Sequence, residues 1–154
     1  MSNLDITVIN GSAELNKLSL ERFSELNNDE KNSIRIQYAE RLAKMTGTLI
    51  SDGYYAFPDK VVFTEADAQA YDVFLYLYCK PQIIRERLCS SKKNAHFSNI
   101  SVENIGKWQR FEIETLRSER HKRNKDFYVV NDISIALFKV SKTGLTHFGL
   151  WKNC

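Results

Sequence analysis

A chain of 154 residues with 43% hydrophobic and 27% charged side chains is the size of one compact domain, residues 1–154, and can bury a sizeable core. Its 22 basic and 19 acidic residues leave a net charge of +3, too mild to announce a nucleic-acid or membrane-surface binder, so any basic site must be local. The longest apolar run, VFLYLYC, is far shorter than the roughly 20 residues a spanning helix needs, so no membrane segment is predicted. Cys79, Cys89 and Cys154 form no CxxC pair, and an odd number without a secretion signal argues for a reducing, cytoplasmic home. His96, His121 and His147 lack metal-ligand spacing, so no structural metal is predicted.

In chain order, LDITVIN (residues 4–10) carries β-branched residues and reads as a strand closed by Gly11. SAELNKLSLERFSEL follows as helix, with Ser19 able to cap a short second one in which Glu21, Arg22 and Glu25 face water. NDEKNSIRIQYAERLAKM starts a helix with Asp29 as N-cap, repeats Ile34, Tyr38, Leu42 and Met45 along one stripe, and ends at Gly47. TLIS is a short buried strand, and AYDVFLYLY, apolar on both faces, suits a central parallel one. Pro81 opens the helix PQIIRERL, which turns Ile83, Ile84 and Leu88 inward and Arg85 and Arg87 elsewhere.

SSKKNAHFSN is a polar, basic loop. The long helix from Ser101 to Lys125 aligns Val102, Ile105, Ile113 and Leu116, with Trp108 on its flank and Arg110 and Arg117 together on another face. DFYVVND returns as a strand. ISIALFKVSKTGLTHFGLW then alternates β-formers around Ser-Lys-Thr-Gly and reads as a hairpin of residues 133–140 and 145–151. Strands separated by helices predict an α/β fold of three layers, a largely parallel sheet flanked by helices. The expected division is a core of residues 1–132 and a C-terminal hairpin extension of 133–154.

LISDGYYAF, then YDVFLYLYCKPQIIRERL, a basic loop, WQRFEIETLR and FYVVND together resemble the middle and late parts of the P-loop nucleoside and nucleotide kinases, the adenylate-kinase-like group. The resemblance spans residues 10–132 and rests on the order of the motifs more than on any one. It implies that Asp52, at a strand's carboxyl end, faces a nucleotide cleft and holds a magnesium-bound water or orients an attacking hydroxyl. Gly53 would turn the backbone beside a ligand, and Tyr54, Tyr55 and Phe57 would stack on a base. The competing reading has Asp52 in an Asx-turn and the aromatics in the core. Arg110 and Arg117 become the lid residues that stabilise phosphoryl charge, with Arg85, Lys92 and Lys93 behind them, against the alternative of a solvated face paired with Glu103 or Glu114. GSAEL resembles the segment that closes over the acceptor, which makes Ser12 and Glu14 substrate-contact candidates.

Such kinases cradle the donor phosphates in GxxxxGK followed by Ser or Thr. The only Gly-Lys here, Gly106-Lys107, is followed by Trp108 and lies inside a predicted helix. The missing loop follows a strand that stands in the middle of the family's sheet, so its absence leaves backbone groups to be paired, at about 1 to 3 kcal/mol for each one left unsatisfied. LDITVIN, the C-terminal hairpin, a second polypeptide or an exchange between two copies could fill the gap. Leu150 and Trp151 either anchor a partner or tuck into the fold.

Two functions follow. One is a non-catalytic binding or regulatory module derived from such a kinase, needing no cofactor of its own. The other is a phosphotransferase subunit that uses magnesium and ATP once a companion chain supplies the loop. Nucleic-acid binding through SSKKNAHFSN and RSERHKRNK is weakened by the balanced charge.

Overall fold

A computed structural model describes residues 5–53, 56–57, 60–90, 99–132 and 145–152. The first strand, β1 (Ile6–Asn10), runs directly into α1 (Gly11–Leu18), because the Asn10 side chain accepts the Ala13 N–H and caps the helix. Leu20 and Glu21, at φ 57° and 64°, then end it. Their N–H groups donate to the carbonyls of Lys17 and Asn16, a Schellman closure in which leucine holds the place that usually takes glycine. A 3-10 turn at Phe23–Glu25 replaces the second helix expected from Ser19, whose hydroxyl is turned back onto the Leu15 and Asn16 carbonyls.

The second helix, α2 (Asn28–Ala43), is capped by Asn27 and not by Asp29: Asn27 and Glu30 exchange side-chain-to-backbone bonds in a capping box. It buries Tyr38, Ala39 and Leu42, and Gly47, at φ 88°, turns the chain into β2 (Thr48–Gly53). A small ribbon of β3 (Ala56–Phe57) and β4 (Lys60–Val61) leads to α3 (Glu65–Ala70). Its signature is a second capping box, Thr64 with Asp67. Next come β5 (Val73–Leu77), α4 (Pro81–Ser90), α5 (Val102–Arg123) and β6 (Asp126–Val130). Ile84 is buried on α4 as expected, but Ile83 is exposed.

The final strand, β7 (His147–Lys152), decides the topology. The sheet order is β1-β2-β7-β5-β6 and every pairing is parallel, so the C-terminal strand lies in the middle, bonded to β2 on one edge and β5 on the other. The expected hairpin is overturned on this point: with both edges taken in parallel, residues 147–152 have none left for an antiparallel arm, and they form the centre of the sheet instead of an extension. The other half of that hairpin, 133–140, lies outside the described residues.

Two apolar clusters flank the strands. Trp151, Phe74, Tyr76, Tyr71 and Leu49 meet Tyr38 and Leu42 of α2, Ala70 of α3 and Leu116 of α5 on one face. Ile50, Val73, Leu75, Val130, Phe148 and Leu150 form the other cluster. Among the described residues the helices join only the first cluster, so the expectation of three layers meets one helical layer there. Leu150 and Trp151 are both buried, the tucked-in outcome for the chain's end.

Polar contacts at the amino end of the sheet set the register of β7. Asp72 Oδ2 accepts the N–H groups of Thr146 (3.2 Å) and His147 (3.0 Å), while the Asp72 N–H donates to the His147 carbonyl at 2.8 Å. His147 Nε2 lies 3.1 Å from the Met45 carbonyl, which can only accept, so that nitrogen carries the hydrogen. Gly149 is required by space: a Cβ there would stand 2.8 Å from the Trp151 ring and 3.0 Å from the Tyr71 ring. We expect Asp72→Ala and Gly149→Ala each to lower stability by about 1–3 kcal/mol, read as a reduced urea midpoint, the first from unpaired amides and the second from overpacking.

Candidate functional site

Because all five strands are parallel, their carboxyl ends share one edge, where α/β proteins place ligands. Asn10, Asp52 and Leu150 are register partners across β1, β2 and β7, and Gly53 is opposite Trp151 one step further. Asp52 is 8% exposed, and its Oδ1 accepts the Gly11 N–H at 2.9 Å. This carboxylate therefore sits against the amino end of α1, where the helix dipole favours negative charge. The contact is close enough to demand glycine: a Cβ on residue 11 would fall 2.1 Å from the Asp52 carbonyl oxygen. Beside it, Ser51 Oγ and the Tyr38 hydroxyl are 2.5 Å apart, both buried. Burial pushes the Tyr38 phenol up to about 12, with the nearby Asp52 adding to the shift and the Ser51 hydrogen bond opposing it.

Asp52 thus has a structural task at the site, joining β2 to α1 across 41 residues of chain. Ser12 is exposed on the first turn of α1. Glu14 is paired twice, with Lys17 at 2.8 Å and Arg41 at 3.2 Å, and its carboxyl is held below the usual range chiefly by the Lys17 hydrogen bond. The Arg41 contact ties α1 to α2, while Lys17 pairs within α1. Tyr54, Tyr55, Lys92 and Lys93 lie outside the described residues, as does the Phe57 side chain.

The arginines are spread apart. Arg85, Arg110 and Arg117 are all exposed, the first on α4 and the others on α5. Since α5 feeds β6, it runs opposite to the strands, and Arg117 lies about 10 Å further than Arg110 from the carboxyl edge. Arg117 lines an open cavity of about 430 Å³ with Glu114, Ser118, Arg120 and His121. Lys107 pairs with Glu103 at 2.7 Å within α5, and Gly106-Lys107 is helical as expected.

A second open cavity, about 410 Å³, lies between the end of α1 and the first turns of α2, lined by Leu18, Leu20, Leu26 and Ile34 with Arg22 and Asp29. Among the described residues no cluster of three His, Cys, Asp or Glu side chains could hold a metal ion, and no helix is long and apolar enough to cross a membrane.

Three buried polar residues escaped the sequence reading. Glu112, 1% exposed, accepts the Tyr76 hydroxyl at 2.8 Å, and Gln109 Nε2 donates to the Cys79 carbonyl at 2.8 Å. The signal was present: Ile105, Gln109, Glu112 and Leu116 follow a 4-3-4 spacing, so two polar residues stand in the inward stripe of α5. The third is Asp67, 2% exposed, whose Oδ2 accepts the N–H and hydroxyl of Thr64. Burial raises its carboxyl from 3.8 to about 6 against the lowering effect of Thr64 and Arg35.

No protein-family model matches this chain, and no curated protein matches its sequence.

Asp52→Ala is expected to lower stability by about 1–3 kcal/mol through the unpaired Gly11 N–H, measured by urea unfolding at neutral pH. For Asp67 the folded carboxyl binds its proton more tightly than the unfolded one. Its contribution is therefore most favourable below the unfolded value of 3.8 and is lost as pH rises through about 6. Asp67→Asn keeps an acceptor for Thr64 and does not titrate. Between pH 7 and pH 4 the wild type should gain on that variant by roughly 2–3 kcal/mol in paired urea titrations.

Proposed function

We propose that this chain is a degenerate P-loop kinase-like protein, a non-catalytic binding or regulatory module that keeps the scaffold without an ATP-phosphate loop of its own. The observation that carries it is the occupant of the middle of the sheet. In the kinases that place belongs to the strand feeding the phosphate loop. Here it is held by His147–Lys152, and GxxxxGK followed by Ser or Thr occurs nowhere in the 154 residues. Without converging N–H groups and a lysine, nothing positions a triphosphate for transfer. Two further features support the reading: Asp52-Gly53 ends the strand next to the middle one, and the Asp52 carboxylate faces α1. The ligand class is a nucleotide or small phosphate-bearing molecule at the carboxyl edge, bound without a cofactor, in the cytoplasm.

The alternative is a phosphotransferase completed by another chain, which would bring magnesium, ATP and the loop into use. A strand of this chain already fills the central position, so such a companion would deliver its loop without a strand of its own.

Calorimetric titration of the purified chain with magnesium-ATP, followed by an assay for labelled phosphate transfer to nucleoside monophosphates, tests this. We expect neither saturable ATP binding below about 1 mM, a free energy of only about −4 kcal/mol, nor transfer. Micromolar binding together with turnover by the chain alone would refute the module reading. Transfer only after adding a protein that bears GxxxxGKS/T would favour the alternative.

A further inference from the structure

A parallel sheet with a filled middle still has two ends, and the two ends of this one differ. Among the described residues β1 forms one edge and β6 the other. Among the described residues nothing pairs with the outer side of β1, where Thr7 is exposed and Val8 is 70% exposed. Alternate residues of such a strand present N–H and C=O groups outward, ready to continue the ladder. Natural edges are blunted with lysine, proline, bulges or inward charges, and ITVIN has none of these. β6 begins with the exposed charge of Asp126, directly after Lys125, which guards that edge.

The sequence of β1 also suits itself. A two-fold axis perpendicular to the sheet at Val8 sets two copies antiparallel, with Val8 opposite its own counterpart, Thr7 opposite Ile9 and Ile6 opposite Asn10. Each pair points to the same face, because the paired positions share parity. Asp5, the nearest charge on the amino side, would be level with Gly11, so no like charges meet. A foreign strand would have to match an uncharged, β-branched edge, whereas a second copy does so by symmetry.

We propose that β1 is a self-association edge through which two copies of this chain join their sheets, antiparallel about Val8, into one continuous sheet. The contact is small. Five residues a side bury well under the roughly 1,200 Å² of a standard stable interface, so the dimer is weak, with Kd between about 10 μM and 1 mM. This inference is independent of the functional reading, since it uses neither the carboxyl edge nor any phosphate ligand.

Sedimentation velocity of the full chain across that concentration range, with Val8→Lys and Val129→Lys run beside it, decides the matter. Wild type should shift from monomer to dimer as concentration rises. Val8→Lys, at an exposed position and with an unchanged far-UV spectrum, should weaken the dimer at least tenfold. Val129→Lys on the opposite edge should leave it unchanged. A wild type that stays monomeric throughout would overturn the proposal, as would a dimer insensitive to Val8→Lys or broken by Val129→Lys.

Discussion

The whole architecture depends on backbone pairing along both edges of one strand. β7 hydrogen-bonds to β2 and β5, so the last described residues of the chain join what would otherwise be two separate pairs, β1-β2 and β5-β6. Its side chains serve both faces: Phe148 and Leu150 enter one cluster and Trp151 the other, where it meets the rings of Phe63, Phe74 and Tyr71 at 6.0, 5.5 and 6.4 Å. A central parallel strand must satisfy both of its edges and bury both of its faces at once. Asp72, His147 and Gly149 are the small fittings that let this strand do so in one register.

That arrangement shapes how the carboxyl edge is built. With β7 beside β2, Asp52 is flanked by Asn10 and Leu150 and held within a wall of backbone. Its carboxylate accepts from Gly11, so the residue to which the resemblance gives a magnesium-bound water or an attacking hydroxyl anchors a helix. Arg110 and Arg117 on α5 are exposed, and two ion pairs, Glu14 with Arg41 and Glu65 with Arg123, join helices to one another.

Buried polar groups give the helical layer its specificity. Glu112 ties α5 to β5 through the directional bond from Tyr76, while Asp67 with Thr64 closes the first turn of α3. Arg123 links α5 to Glu65 of α3 and lies 5.7 Å over the Phe63 ring. The ring in turn touches Phe74 and Trp151, so the surface ion pair and the aromatic core form one continuous set of contacts.

Much of this was legible in the residues. Ile6 to Asn10, Val73 to Leu77 and Asp126 to Val130 announce strands through β-branched and aromatic runs, and the long helix after Ser101 is visible in its cap and stripe. These are local properties, set by side-chain shape and by bonds a few residues apart. The capping box of Thr64 and the 4-3-4 stripe with Gln109 and Glu112 were also written locally, though polar residues hid them. The place of HFGLWK was not. An apolar run with a turn before it fits a hairpin arm and a central strand equally well, and local propensity carries no information about which strands lie 98 and 75 residues earlier. Only the tertiary structure decided that β7 stands between β2 and β5, because that choice depends on two unpaired edges created elsewhere in the chain. It likewise decided that Asp52 meets Gly11, a contact made by the parallel register of β1 and β2 and by nothing within LISDGYY itself.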